Sequence, residues 1–167
     1  MRSALVLLFA TLSAGVSAAG AQNPAPSTPP PPVSNAVQIL STSQLAALAD
    51  SLPAGASTSH SLVRWAGLSD MISRRDTSGI HERHEDFTDI FVVQRGTATL
   101  RYGGTTDGAK LTTSGEWRGG TIRNGSEAVL HPGDIVVIPT GIPHQVLPSA
   151  GEHFIYLTFK VAKAAQH

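Results

Sequence analysis

Gly133-Asp134-Ile135-Val136-Val137-Ile138-Pro139-Thr140-Gly141-Ile142-Pro143-His144 reads as a short apolar strand, a Pro-x-Gly turn and an imidazole just beyond it. A second segment holds the same parts in another order. It runs His84-Glu85-Asp86-Phe87-Thr88-Asp89 and continues Ile90-Phe91-Val92-Val93-Gln94-Arg95-Gly96. There the His precedes the strand and a Gly closes it. Runs of β-branched and aromatic residues suit a pleated, half-buried surface, and a bounding glycine marks a turn that needs unusual backbone angles.

Working outward, the same kind of short run recurs. Strands are expected near His60 to Ala66, Asp70 to Arg75, Gly79 to His84, Asp89 to Gln94 and Thr97 to Tyr102. More follow near Gly119 to Arg123, Ser126 to Leu130, Asp134 to Ile138, His144 to Leu147 and His153 to Val161. Gly103-Gly104, Gly119-Gly120, Asn124-Gly125 and Pro132-Gly133 are turn signals between them. Many short strands at regular spacing argue for an all-β sandwich or barrel. Thr105 to Arg118 is the longest insertion, polar except for Leu111 and Trp117, and reads as a loop.

Before the first strand, Ser41 with Gln44 three residues on forms a capping box. Leu45, Leu48 and Leu52 then follow at helical spacing, and Pro53-Ala54-Gly55 ends the run. So short a helix is marginal alone and must be held by its Leu face against the outside of the barrel. Val37-Gln38-Ile39 is expected as a short strand.

The chain opens as an export signal over residues 1–21. Met1-Arg2 supplies a positive end, Ala4 to Ala10 an apolar stretch too short to span a bilayer, and Ala19-Gly20-Ala21 a small-residue cleavage site before Gln22. Cleavage after Ala18 is the near alternative. Residues 22–35 are a Pro-rich linker, with Pro29 to Pro32 in extended polyproline conformation. Residues 36–167 form the folded domain. Export implies a periplasmic or secreted protein. With no Cys it gains no disulfide there and depends on its core. Acidic and basic residues balance at 12 each, so nothing in the charge argues for nucleic acid or for a membrane surface once the signal is cleaved. No Gly-x-Ser-x-Gly elbow, phosphate-binding Gly-x4-Gly-Lys loop or nucleophilic Cys occurs.

Together the two segments resemble the paired motifs of the cupin superfamily. The second motif, Gly-x5-Pro-x-Gly-x2-His, fits at Gly133, Pro139, Gly141 and His144. The first, His-x-His-x4-Glu-x6-Gly, fits at His84 and Gly96, with Asp89 in the Glu place and Glu82 where the first His would stand. At the offset where the family often has Asn, this chain has Pro148. The resemblance spans roughly Ser57 to Val161. It implies a double-stranded β-helix, or jelly-roll, barrel with a short N-terminal helix, holding one metal ion.

Imidazole and carboxylate ligands together suit a divalent transition metal such as Fe, Mn, Zn or Ni. His84 and Asp89 are five apart, so one unbroken strand would put them on opposite faces. A turn through Glu85 to Thr88 would instead set them at facing ends of neighbouring strands, with His144 entering from a third. His84, Asp89 and His144 are the expected ligands, leaving positions open for water, substrate or oxygen. For a fourth, Glu82 shares the His84 face and is the better geometric candidate. His81 is the better chemical one but would face outward unless the strand bulges. The sequence leaves that choice open.

Phe91 and Val93 share the Asp89 face and are expected to line the pocket, as are Ile135 and Val137. Phe154, Tyr156 and Thr158 alternate with Ile155, Leu157 and Phe159; one set faces inward, with Tyr156 a packed aromatic or a proton donor. Trp117 and Arg118 suit either an ordinary loop or a lid in which Arg118 binds an acidic substrate. His131, His153 and His167 are expected at the surface. Two readings of function follow. One is a mononuclear metalloenzyme, a dioxygenase-like oxidoreductase or an isomerase, acting on a small organic molecule. The other is a barrel that binds a small molecule without chemistry or a required metal. A homodimer is expected, with Val37 to Leu40 adding a strand to a partner's sheet.

Overall fold

A computed structural model describes residues 36–164, and thirteen strands and one helix build the fold within them. The export signal and the Pro-rich linker lie outside the described residues, as does His167. The helix α1 (Thr42–Ser51) starts as its sequence dictates. Ser41 Oγ accepts from the Gln44 backbone N–H at 3.3 Å, and the Gln44 side chain accepts from the Ser41 N–H at 2.9 Å. Its Ala49, together with Leu52, packs on Ile72 and Ile155, with Leu48 beside them, on the outer face of one sheet.

That sheet has the order β1 (Thr58–Trp65), β2 (Leu68–Arg75), β13 (Phe154–Ala162), β4 (Phe87–Arg95), β11 (Ile135–Ile138). The second has the order β10 (Ser126–Leu130), β5 (Ala98–Tyr102), β12 (His144–Pro148), β3 (Glu82–His84), β8 (Glu116–Arg118), β7 (Lys110–Thr113). A small pair, β6 (Thr105–Asp107) and β9 (Thr121–Arg123), sits apart. The two large sheets face each other as a jelly roll. Phe91, Val93, Ala98, Leu100, Leu130, Val146, Phe154 and Tyr156 fill the space between them. Complete burial of each large apolar side chain there contributes about 1.5–3 kcal/mol. Among the described residues no helix is long and apolar enough to cross a bilayer.

Period-2 alternation settles the faces. On β13, Phe154, Tyr156 and Thr158 point inward, and Ile155 and Leu157 face the helix. On β4 the inward set is Asp89, Phe91 and Val93. The glycines that close the strands work through backbone geometry. Gly96 has φ +75°, and a Cβ there would meet the His153 carbonyl oxygen at 2.4 Å.

Four expectations need correction. Val37 and Ile39 form no strand and stand 91% and 82% exposed. Ile135 and Val137 lie on the outer face of edge strand β11, 69% and 59% exposed, while Val136 and Ile138 take the inner face. A one-residue shift of phase moves every side chain of a strand to the other face. Thr105 to Arg118 is not a loop but holds β6, β7 and β8, so Trp117 and Arg118 are strand residues rather than a lid. Polar, exposed strands lack the apolar alternation by which a strand is read. His81 is 1% exposed and so does not face outward.

Candidate metal centre

Cross-strand register assembles the site. In the second sheet Glu82 of β3 sits between His144 of β12 and Arg118 of β8. His84 pairs with Glu116 across the same β3–β8 ladder. In the first sheet Asp89 of β4 is directly opposite Lys160 of β13. Directly opposed residues have Cβ atoms within reach of each other, so these ladders bring charge against charge. The chain turns at Glu85 and Asp86 between β3 and β4, which carries it from one sheet to the other. The Gly141 N–H donates to the His84 carbonyl at 2.7 Å, tying the second turn to β3. Gly141 can do so at φ +79°, a conformation that disfavours any side chain.

The structure brings Glu82, His84 and His144 together, with one donor atom of each within 4.8 Å of the others. Both imidazoles are buried. His144 Nδ1 lies 3.1 Å from the Ile142 carbonyl. A carbonyl only accepts, so Nδ1 carries the proton and Nε2 presents its lone pair to the centre. That Nε2 is buried and has no hydrogen-bond partner. Burial, outweighing the nearby carboxylates, holds the His144 pKa below its ordinary value, so the ring is neutral. An orphaned buried acceptor aimed at a carboxylate and a second imidazole is the donor chemistry of a cation site.

His84 is held differently. Its Nδ1 donates to Glu116 Oε2 at 2.8 Å, which turns Nε2 inward. There Asp89 Oδ2 lies at 3.3 Å and Glu82 Oε2 at 3.7 Å. Burial lowers the His84 pKa, and the carboxylates of Asp89 and Glu82 beside Nε2 outweigh it and push it up to about 9. The Lys160 charge, with Nζ at 3.1 Å from Nε2, opposes that rise and loses.

Asp89 and Glu82 are both carboxylates despite burial. Burial would raise Asp89, but the His84 hydrogen bond and the Lys160 charge hold it below its ordinary value. Lys160 Nζ donates to Asp89 Oδ1 at 2.9 Å and Oδ2 at 3.2 Å. Asp89 Oδ2 also stands 3.7 Å from His144 Nε2. For Glu82, burial is again outweighed, by the His84 imidazole at 3.7 Å and the charges of Arg118 and Arg75. Arg118 donates to Glu82 and, at 3.2 Å, to Glu116 Oε2.

His81 is not brought to this cluster. It precedes β3, and its Nδ1 donates to the Gly119 carbonyl at 2.7 Å while the Gly119 N–H donates to the His81 carbonyl at 2.9 Å. It thereby fastens the end of β8 to the start of β3. Beyond the expected ligands, the site contains Lys160, Glu116 and Arg75. Lys160 continues the alternation of Phe154, Tyr156 and Thr158, and that period is the signal for it. Glu116 has no such signal, because β8 is polar.

A cavity of about 230 Å³ opens on the cluster between the two sheets. Phe91, Val146, Tyr156 and Thr158 are in its wall beside Glu82, Asp89, His144 and Lys160. Phe91 stands edge-on to both Tyr156 and His144, with ring centroids 4.9 and 6.2 Å away.

Comparison with known proteins agrees with this architecture. Residues 56–166 match the family model described as the JmjC domain, a cupin-type family. No curated protein matches the chain. Among solved structures it is similar to the cupin domain of Schizosaccharomyces pombe Cnp3. Identity there is 8% over 68% of this chain and 66% of that one, with a TM-score of 0.50. It is also similar to KdgF from Halomonas sp., at 13% identity over 66% of this chain and 84% of that one, with a TM-score of 0.48. A cupin-2 domain from Rhodospirillum rubrum matches at 16% identity over 66% of this chain and 63% of that one, with a TM-score of 0.48. Other structures that it matches are longer, and it spans 54% and 53% of two of them. At 8% identity the likeness to the Cnp3 cupin domain speaks for the fold alone. With its two motif segments paired as neighbouring strands β4 and β11 of one jelly roll and residues 56–166 matching the family model, the chain belongs to the JmjC domain family of the cupin superfamily.

Proposed function

We propose that the protein is a mononuclear metalloenzyme, with Glu82, His84 and His144 holding one divalent transition metal. The observation that carries this reading is the buried, unpartnered His144 Nε2 facing His84 and Glu82. Hydrogen bonds at Nδ1 fix both rings, Glu116 holding His84 and the Ile142 carbonyl holding His144, as metal-binding imidazoles require. Asp89, expected as a ligand, has Oδ2 3.3 Å from His84 Nε2 and 3.7 Å from His144 Nε2 and would join the set if Lys160 released it, while His81 serves the backbone. A metal with open positions would supply Lewis acidity or oxygen chemistry to a small organic substrate, of dioxygenase or isomerase type. The chain's own residues shape the pocket: Phe91 and Val146 exclude water, and Lys160 and Arg118 hold the carboxylates in place.

One observation favours a second reading, a binding barrel that needs no metal. Lys160 Nζ sits against both Asp89 oxygens and His84 Nε2, so an internal cation already answers part of the site's negative charge. Export, on the signal and linker read at residues 1–35, and a homodimer belong to the same proposal.

The test is elemental analysis of the purified, untagged protein beside a His84→Ala/His144→Ala double variant. About one equivalent of Fe, Mn, Zn or Ni in the parent, lost in the variant, is the expected result. No metal in either protein after anaerobic reconstitution with Fe(II) and Mn(II) would leave the binding barrel as the reading.

A further inference from the structure

Three cations border the cavity, and Arg75 is the one least engaged by hydrogen bonds. Arg118 spends its fork on Glu82 and Glu116. Lys160 is spent on both oxygens of Asp89. Arg75, on β2, donates one hydrogen bond, from Nε to Tyr156 Oη at 2.7 Å. Its nearest carboxylate oxygen, Glu82 Oε1, is 3.8 Å from Nη2, beyond hydrogen-bond reach, and is already taken by Arg118. A guanidinium offers five N–H donors in a rigid fork. Four of them here lack a protein partner, on a side chain 11% exposed.

The charge count points the same way. The two carboxylates in the cavity wall are each engaged by another cation, Glu82 by Arg118 and Asp89 by Lys160. Arg75 is therefore left with one ion-pair contact, at 3.8 Å, to a carboxylate that Arg118 already engages. Buried charges are otherwise paired or hydrogen-bonded, because leaving them bare is costly. The backbone is also cut back to make room for this fork. A Cβ on Gly79 would lie 2.6 Å from Arg75 Nη1. The rest of the wall near Arg75 offers hydroxyls, Ser59 and Ser73, and short apolar side chains, Met71 and Ile80.

We infer that Arg75 is the anchor of a carboxylate-binding subsite, and that the ligand of this barrel is a small organic acid. A planar fork with free donors matches a carboxylate two bonds at a time. A cavity of about 230 Å³ is below the range of about 300–1,000 Å³ usual for drug-sized ligands, so the acid has only a few carbons. With Arg75 Nη2 3.8 Å from Glu82, a carboxylate held there sets the rest of the molecule against the candidate metal ligands. The inference rests on the metal-centre reading for what then happens to the acid, but not for the binding itself.

The test is therefore made first without metal. Propionate, malonate and succinate are titrated calorimetrically into chelator-treated protein, with propionamide and malonamide as uncharged controls, and again after Zn(II) loading. The expected result is carboxylate binding in the metal-free protein, with amides at least about tenfold weaker, since hydrogen bonds to charged groups exceed neutral ones. Arg75→Gln loses that preference while its zinc stoichiometry is unchanged. Gly79→Ala, which keeps the guanidinium but displaces it, weakens the carboxylate without touching Tyr156 and serves if Arg75→Gln fails to fold. Equal binding of acid and amide, or binding unchanged in Arg75→Gln, would overturn the inference. Binding that appears only after zinc loading would overturn it too, while upholding the metal centre. Carboxylate binding in a protein that takes up no metal would uphold the subsite and sink the metal reading.

Discussion

The two turns that deliver the imidazoles are opposites in charge. The β3–β4 turn is flanked and filled by acids, with Glu82, Glu85, Asp86 and Asp89 within eight positions, whereas Pro139 to Pro143 has no charge at all. His84 thus arrives among carboxylates and is pushed up to about 9, while His144 arrives among apolar groups and is held down and neutral by burial. One ring must shed a proton before its Nε2 can take a cation; the other is ready. A pair of motif histidines is therefore not a pair of equivalent ligands. The difference is made by Asp89 and Glu82, which outweigh both burial and the opposing charge of Lys160 at His84, whereas burial prevails at His144.

Breaking the acidic side should have the largest effect. Lys160→Met leaves buried Asp89 with His84 alone as a cationic neighbour, and removing one partner of a buried pair costs about 3–5 kcal/mol. Chemical denaturation of the metal-free variant should show a loss at the lower end of that range, because the Lys160 side chain is 21% exposed. Metal should restore the loss, and metal affinity, read by chelator competition, should rise. An unchanged midpoint would mean that Lys160 does not hold this carboxylate.

A subtler break acts on His84 orientation alone. Glu116→Gln keeps the size of the side chain but weakens its hold on Nδ1, and outer-shell changes of this kind cost about 10–100-fold in metal affinity. The same experiment has no counterpart at His144, whose partner is a backbone carbonyl. Equal metal affinity in Glu116→Gln and parent would remove β8 from the account.

The smallest effect lies far from both turns and sharpens the contrast by acid titration. Asp76 accepts from Arg74 Nε at 2.8 Å and from the Gly55 N–H at 2.8 Å, and is lowered from 3.8 to about 2, with the Arg74 hydrogen bond the main cause. A carboxyl depressed in the folded state contributes stability that is complete above about 3.8 and lost as pH falls through about 2. Near the surface that contribution is under about 1 kcal/mol. Asp76→Asn should therefore unfold slightly more easily than the parent at pH 6, with the two converging near pH 2. A gap that persists at low pH would assign the difference to lost shape rather than charge.

How much of this could be read beforehand follows from what periodicity records. The alternation on β4 and the capping box at Ser41 and Gln44 report local geometry, and the strands and helix are legible from them. On β13 alternation shows that Tyr156 and Lys160 share a face but not which face is inside; only the opposite sheet decides that. Ile135 and Val137 mislead because an edge strand can expose its apolar side. Glu116 was illegible, and Arg118 legible only as a loop or lid residue, for a stronger reason. Their strand is polar, and its partner β3 lies more than thirty residues earlier in the chain, so register rather than composition brings them to the site.

The central claim is that one ion sits between His84, His144 and Glu82. Anomalous diffraction from crystals of the metal-reconstituted protein, collected at the absorption edge of the bound metal, tests it most directly. The expected result is a single peak about 2.0–2.2 Å from both Nε2 atoms and from a Glu82 oxygen, with Lys160 withdrawn from His84. Crystals that show no peak there, with Lys160 still against His84 Nε2, would contradict the claim and leave a barrel whose own lysine serves as its cation.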